Sequence, residues 1–164
     1  MKKGTRSEVR VHVNASAQIL YELVSDVSRM GEWSPECESG EWLDGATGPS
    51  VGARFKGKNR HGRARWTTKP RVVAAEPARE FGFVTQLLGR DMTRWVYRFE
   101  NAGGGSEVTE SFELLRSLPV YIRLTDRLLM GVKDRQADLE DNMRRTLAKI
   151  KSTAEHGSQS HNPR

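Results

Sequence analysis

Cysteine is almost absent from this 164-residue chain. Cys37 stands alone, so no intramolecular disulfide can form and a reducing, cytoplasmic setting is expected. Its neighbours Glu36 and Glu38 would raise a thiol pKa, which argues against a reactive thiol. Long apolar runs are missing too. No apolar stretch of signal-peptide length follows Met1-Lys2-Lys3, and no window approaches the roughly 18 apolar residues of a membrane span.

Several chemistries lack their motifs. There is no HExxH, no paired-cysteine metal motif and no phosphate-binding glycine loop; AGGGS, Ala102 to Ser106, has neither the spacing nor the lysine for phosphate cradling. His12, His61, His156 and His161 fall on an exposed strand position, a turn and a polar tail, so neither a metal site nor any cofactor is expected. No serine or cysteine nucleophile has a base at a defined offset. Acid/base chemistry by scattered side chains is not excluded.

Acids are missing locally as well. Between Arg54 and Arg71 there is none, while Lys56, Lys58, Arg60, Arg63, Arg65 and Lys69 crowd the stretch KGKNRHGRARWTTKPR, in a chain of formal charge +6. Period two separates this run into two faces. A hairpin turning at His61-Gly62 would set Arg60 against Arg63, Lys58 against Arg65 and Gly57 against Trp66. Phe55, Gly57, Asn59, Ala64, Trp66 and Thr68 then share one face and the basic residues the other. With no aromatic among the basic groups there is no stacking platform, so nucleic acid is disfavoured. The Lys56–Arg65 hairpin could instead dock an acidic partner.

Elsewhere the periodicities are clear. Val9, Val11 and Val13 alternate in a first strand, and Ile19, Leu20, Leu23, Val24 and Val27 mark a helix capped by Asn14 or Ser16. A short helical turn follows in SRMGEWSPE, then a strand near Glu41 to Leu43. Further strands start at Arg71, Glu80, Thr93 and Glu107, with Trp95, Tyr97 and Phe99 alternating in one and Val108, Glu110, Phe112 and Leu114 in the last. Ser117 and Pro119 mark a helix start, and Leu128, Val132, Leu139, Met143, Leu147 and Ile150 form a long stripe, with a bend expected near Gly131. HGSQSHNPR, residues 156–164, has no apolar residue and is expected to be disordered. One domain, residues 1–155, is predicted. It is an α+β fold in which a curved antiparallel sheet of about six to seven strands wraps around a long C-terminal helix, with two short helices after the first strand.

That element order resembles the helix-grip, START-like or SRPBCC, superfamily over roughly residues 6–155. Local similarity lies in MGEWSPE (Met30–Glu36), RARWTTKPRVVAAEPAREFGF (Arg63–Phe83), WVYRFE followed by GGSEVTESFE, and NMRRTLAKIKSTAE (Asn142–Glu155). These are similar to bacterial proteins of the polyketide cyclase/dehydrase type. The resemblance implies a cavity between sheet and C-terminal helix for a hydrophobic or amphipathic small molecule, lipid- or polyketide-like. Phe55, Trp66, Thr68 and Phe83 would line it, together with Trp95, Tyr97, Phe112, Leu128 and Val132; Trp33 would be a gate, and Asn59 a further polar group. Each of these residues can equally be plain core. Glu110, flanked by Val108 and Phe112 at period two, should face inward. There it is either a ligand-orienting group or general acid/base, with Tyr97 as its catalytic companion, or a structural carboxyl paired to Tyr97, Asn59 or an arginine. A binding module and a cyclase/aromatase both remain open, as do monomer and homodimer.

Overall fold

Alternating valines make β1 (Arg6–Val13) a strand with one apolar face. The structure, a computed structural model, describes residues 1–117, 119, 128, 131 and 134–159. After β1 come α1 (Ala17–Ser25) and a 3-10 helix (Val27–Glu32). The Ser16 Oγ accepts the Ile19 N–H at 3.3 Å, and the Asp26 carboxylate accepts the Ser28 N–H at 3.1 Å, so each helix begins on a side-chain cap. The remaining strands are β2 (Cys37–Trp42), β3 (Phe55–His61), β4 (Ala64–Thr68), β5 (Arg71–Glu76), β6 (Glu80–Leu87), β7 (Arg90–Ala102) and β8 (Gly105–Leu114). They precede a long helix, α2 (Arg135–Gln159).

The strands form an antiparallel five-stranded sheet, β1-β8-β7-β6-β5, and a three-stranded sheet, β2-β3-β4, rather than one continuous sheet. The split has a local cause. Pro70, which has no N–H to give a neighbour, lies between β4 and β5. The two sheets meet at a corner, where Arg54 bridges Arg71, the Phe55 N–H reaches the Pro70 carbonyl at 3.1 Å and the Val72 N–H reaches Ala53 at 2.8 Å. Beyond that corner β5 pairs with β6 only as far as Arg71↔Val84. Among the described residues, the edge of β4 and the end of β6 therefore have no sheet neighbour on their facing sides.

The β3–β4 hairpin turns at Gly62-Arg63, not His61-Gly62. Asn59 faces Trp66, Arg60 faces Arg65, and Gly57 faces Thr68. The face assignment survives because moving the turn by one residue shifts the cross-strand partner by two, an even step that leaves the pleat unchanged. His61 is consequently a strand residue on the inner face. At the β6–β7 turn, Leu87 pairs with Arg90 and the two turn residues Leu88 and Gly89 have φ of 50° and 73°. That left-handed conformation suits glycine or asparagine; for leucine it costs about 1–2 kcal/mol.

The stripe Leu139, Met143, Leu147, Ile150 and Ala154 buries one face of α2. Lys151 donates to the His12 carbonyl at 2.7 Å and Glu155 accepts the Asn14 N–H at 2.9 Å, tying the helix to the end of β1. Asp134 caps α2 through the Gln136 and Ala137 N–H groups at 3.0 and 3.2 Å. The helix start expected at Ser117 and Pro119 falls largely outside the described residues. Gly131, at φ 70°, breaks helical geometry instead of bending it. At the other end α2 includes His156 to Gln159, correcting the expectation that the tail is disordered from 156; residues 160–164 lie outside the described residues.

Gly40 in β2 lies against the 3-10 helix, where a Cβ would come within 2.0 Å of the Val27 carbonyl oxygen. Gly40→Ala should therefore lower unfolding free energy by about 3 kcal/mol, measured by urea denaturation. Gly45, with nothing within 4 Å, provides the comparison for strained backbone without a clash.

Candidate functional site

Large side chains fill the space between sheet and α2 at only one end. Leu147, Ile150 and Ala154 join α1, Phe81, Phe99 and Val108 in the main core, whereas Leu139, Asn142, Met143 and Thr146 face a cavity of about 920 Å³. On the sheet side the cavity is walled by Phe55, Phe83, Trp95 and Tyr97. Asn59, Trp66 and Thr68 come from the inner face of the hairpin. Aromatic contacts stiffen this wall: Phe83 meets Phe55 edge-on at 5.3 Å, and Phe55 meets Trp42 at 5.8 Å. Asn59 Nδ2 donates to Thr68 Oγ1 at 3.2 Å, which orients its amide across the gap above Gly57.

Glu110 enters the same cavity. The β7–β8 register sets it directly opposite Tyr97, and the Tyr97 hydroxyl donates to Glu110 Oε1 at 2.7 Å. Only 3% of Glu110 is exposed, and its Oε2 has no partner among the described residues. Burial pushes its pKa from the ordinary 4.5 to about 8, against the opposing pull of the tyrosine hydrogen bond. Burial and the adjacent carboxyl also push Tyr97 well above the usual phenol value. At neutral pH both groups are mainly protonated. Because Oε1 accepts from Tyr97, Oε2 is then the natural place for the Glu110 proton.

The mouth carries a polar network that sequence reading missed. Arg135 donates from Nη1 to Glu36 Oε1 at 2.6 Å and from Nη2 to Oε2 at 3.0 Å, and it also contacts Asp138. Asn142 donates to Glu36 at 3.1 Å, and His61 Nδ1 lies 3.1 Å from the same oxygen. Glu36, His61 and Asp138 can bring three ligand atoms within 4.8 Å of one another. The Arg135 guanidinium supplies positive charge to both carboxylates there. Glu36 and Arg135 are 99 positions apart, which no local pattern reveals. Asn142 and Thr146 were within reach, since each precedes by one residue, or follows by three, a member of the α2 stripe.

Of the expected lining, Phe55, Asn59, Trp66, Thr68, Phe83, Trp95, Tyr97 and Glu110 do meet around one cavity. Others do not. Trp33 is no gate: it is 1% exposed in the main core, with the Arg29 guanidinium 5.7 Å from its ring centroid. Phe112 does not border the cavity but packs beside it against Trp95, Leu139 and Met143. Leu128 is 71% exposed rather than inward, and Val132 lies outside the described residues. Cys37 does border the cavity, with burial pushing its thiol up to about 11, which makes it a poor nucleophile.

A curved antiparallel framework closed by a C-terminal helix, hollow at one end and holding one buried carboxyl there, defines a helix-grip cavity protein. The chain belongs to the polyketide cyclase / dehydrase and lipid transport family, which matches residues 4–155. The Polyketide_cyc-like protein Cgl2372 from Corynebacterium glutamicum is 35% identical, with a TM-score of 0.51 over 94% of this chain and 88% of that one. The di-domain ARO/CYC StfQ from the steffimycin biosynthetic pathway is 14% identical at a TM-score of 0.73; the match takes 94% of this chain but 51% of StfQ, about half of its length. Ginseng major latex-like protein 151 from Panax ginseng is 14% identical at a TM-score of 0.67, over 92% of this chain and 97% of that one. No curated protein matches the chain. Among the described residues no helix is long and apolar enough to cross a membrane.

The raised carboxyl has a measurable consequence for stability. Below pH 4.5 the folded and unfolded chains both hold the Glu110 proton; between 4.5 and about 8 the unfolded chain releases it while the folded chain keeps it. Stability is thereby lost as pH rises through that window, by about 1.4 kcal/mol per unit. The difference in unfolding free energy between wild type and Glu110→Gln should shift steadily in the variant's favour from pH 5 to 8 and level off above. Parallel curves would show that Glu110 ionises normally.

Proposed function

We infer that the chain binds a hydrophobic or amphipathic small molecule, lipid- or polyketide-like, in the cavity between the sheets and α2. The observation that carries this reading is a largely apolar cavity bordered by Glu110, a buried carboxyl whose Oε2 has no partner among the described residues. An apolar lining with one or two fixed polar groups is the usual composition of a small-molecule site, and about 920 Å³ falls within the usual range of such sites. A neutral carboxyl donates a hydrogen bond, so it suits a ligand acceptor such as a keto, ester or ether oxygen. Asn59 offers a second polar contact across the cavity.

The Glu110–Tyr97 pair favours a second reading, a cyclase/aromatase. A protonated Glu110 could polarise a ketone or protonate a departing hydroxyl of a poly-β-keto chain, but the matching proton abstraction needs an ionised base. At neutral pH both members of the pair are mainly protonated, so this site supplies acid more readily than base. Binding is therefore the primary reading, and turnover by Glu110 as a base should rise with pH toward a plateau above about 8.

Binding and chemistry separate in one experiment. A keto-bearing fatty acid titrated into the protein should bind at micromolar concentration. Glu110→Gln, which still donates through its amide, should keep affinity within about threefold, while Glu110→Val should lose about tenfold. If a poly-β-keto substrate is turned over, Glu110→Gln should abolish conversion by at least about 100-fold while still binding. Failure to bind any amphiphile, with the cavity intact by NMR, would contradict both readings.

A further inference from the structure

Leu88 is in an unfavourable place twice over. It is 87% exposed, and it occupies a left-handed position, φ 50°, where leucine is strained. A single exposed leucine is ordinary on a protein surface. A strained one is not, since asparagine or glycine would satisfy the same turn at lower cost. An outlier that packing does not explain points to use.

Its surroundings say what use. Leu87 and Gln86, beside the Leu88 turn, border the cavity, and so do Arg63, Ala64 and Arg65 from the tip of the β3–β4 hairpin. Among the described residues, these two tips lie where β4 and the end of β6 have no sheet neighbour, so strand pairing there does not close the cavity side between them. The side chains of Arg63, Arg65 and Arg90 are all exposed, and none makes an ion pair or hydrogen bond with another described residue. The nearby acids are already engaged: Asp91 with Arg71 at 3.1 Å, and Glu36 and Asp138 with Arg135. Among the described residues the rim is thus a protruding apolar residue together with cations that have no acidic side-chain partner.

We propose that this rim docks on an anionic lipid surface, with Leu88 seated in the interfacial layer and Arg63, Arg65 and Arg90 against the headgroups. Electrostatic attraction and shallow apolar insertion together are what hold a peripheral protein on such a surface. An acidic protein partner would need the arginines but has no evident use for the leucine. Docking by this rim turns the opening between the hairpins toward the bilayer, so that an amphiphile can pass between membrane and cavity. That consequence rests on the ligand-binding reading; the docking itself does not.

The test is flotation of the full chain with vesicles of equal parts phosphatidylglycerol and phosphatidylcholine, against phosphatidylcholine alone. Binding is expected to the anionic vesicles only and to weaken with salt. Leu88→Asn, which suits the turn and should leave thermal stability equal or higher, should lower partitioning about tenfold. Arg63→Gln, Arg65→Gln and Arg90→Gln should each lower it about fivefold. Lys149→Gln, an exposed charge on α2, should not. No binding to anionic vesicles would overturn the proposal, as would binding that Lys149→Gln weakens as much as Arg65→Gln. Vesicle binding that soluble polyglutamate displaces and that Leu88→Asn leaves unchanged would mean charge-only docking, the behaviour of a site for an acidic protein, and would overturn it too. An amphiphile-binding assay on Leu88→Asn keeps the two readings apart: the cavity should bind a fatty acid in detergent-free solution as wild type does.

Discussion

A carboxyl group closed away from water opposite a tyrosine governs this molecule. Glu110 and Tyr97 are directly paired across β7 and β8, so neither can leave the cavity without a slip of the sheet register. A one-residue slip of either strand would turn its core residues outward too, Trp95 and Phe99 in β7 or Val108 and Phe112 in β8. The aromatic and apolar neighbours that define the core are thus the same ones that hold the carboxyl in its dry setting. Burial keeps its proton on, and the protonated acid is a donor without a partner among the described residues, at the border of the cavity.

The rest of the structure shapes that cavity. The C-terminal half of α2 is packed onto α1 and the five-stranded sheet, while its N-terminal half holds Asn142, Met143 and Thr146 against the cavity. The bidentate Arg135–Glu36 pair anchors the first turn of α2 to the loop before β2, and Asn142 and His61 join on the same carboxylate. Removing one member of such a partly buried network strands the others, so the mouth is braced by polar contacts where an apolar plug would have filled the site.

Much of this was readable at period two. The inward set Trp95, Tyr97, Glu110, Phe55, Asn59, Trp66, Thr68 and Phe83 follows from alternation alone, because a strand has only two faces. The hairpin shows how robust that is: the sequence pattern puts the turn one residue early, yet it assigns the faces correctly. What alternation cannot supply is distance along the chain. It did not reveal the Glu36–Arg135 pair, or that Trp33 would be enclosed by the core. Nor did it show that the sheet would divide at Pro70 and leave β4 and β6 apart. Leu88 was hidden for another reason: its oddity lies in backbone conformation, which composition does not express.

The central claim is that Glu110 is an un-ionised acid in the cavity at neutral pH. A carbon-detected NMR titration of the glutamate side-chain carboxyls, with the Glu110 resonance assigned by its loss in Glu110→Gln, measures this directly. The account requires a midpoint near 8. A midpoint at or below the ordinary glutamate value would contradict it, since the group would then be a carboxylate and could not donate to a ligand.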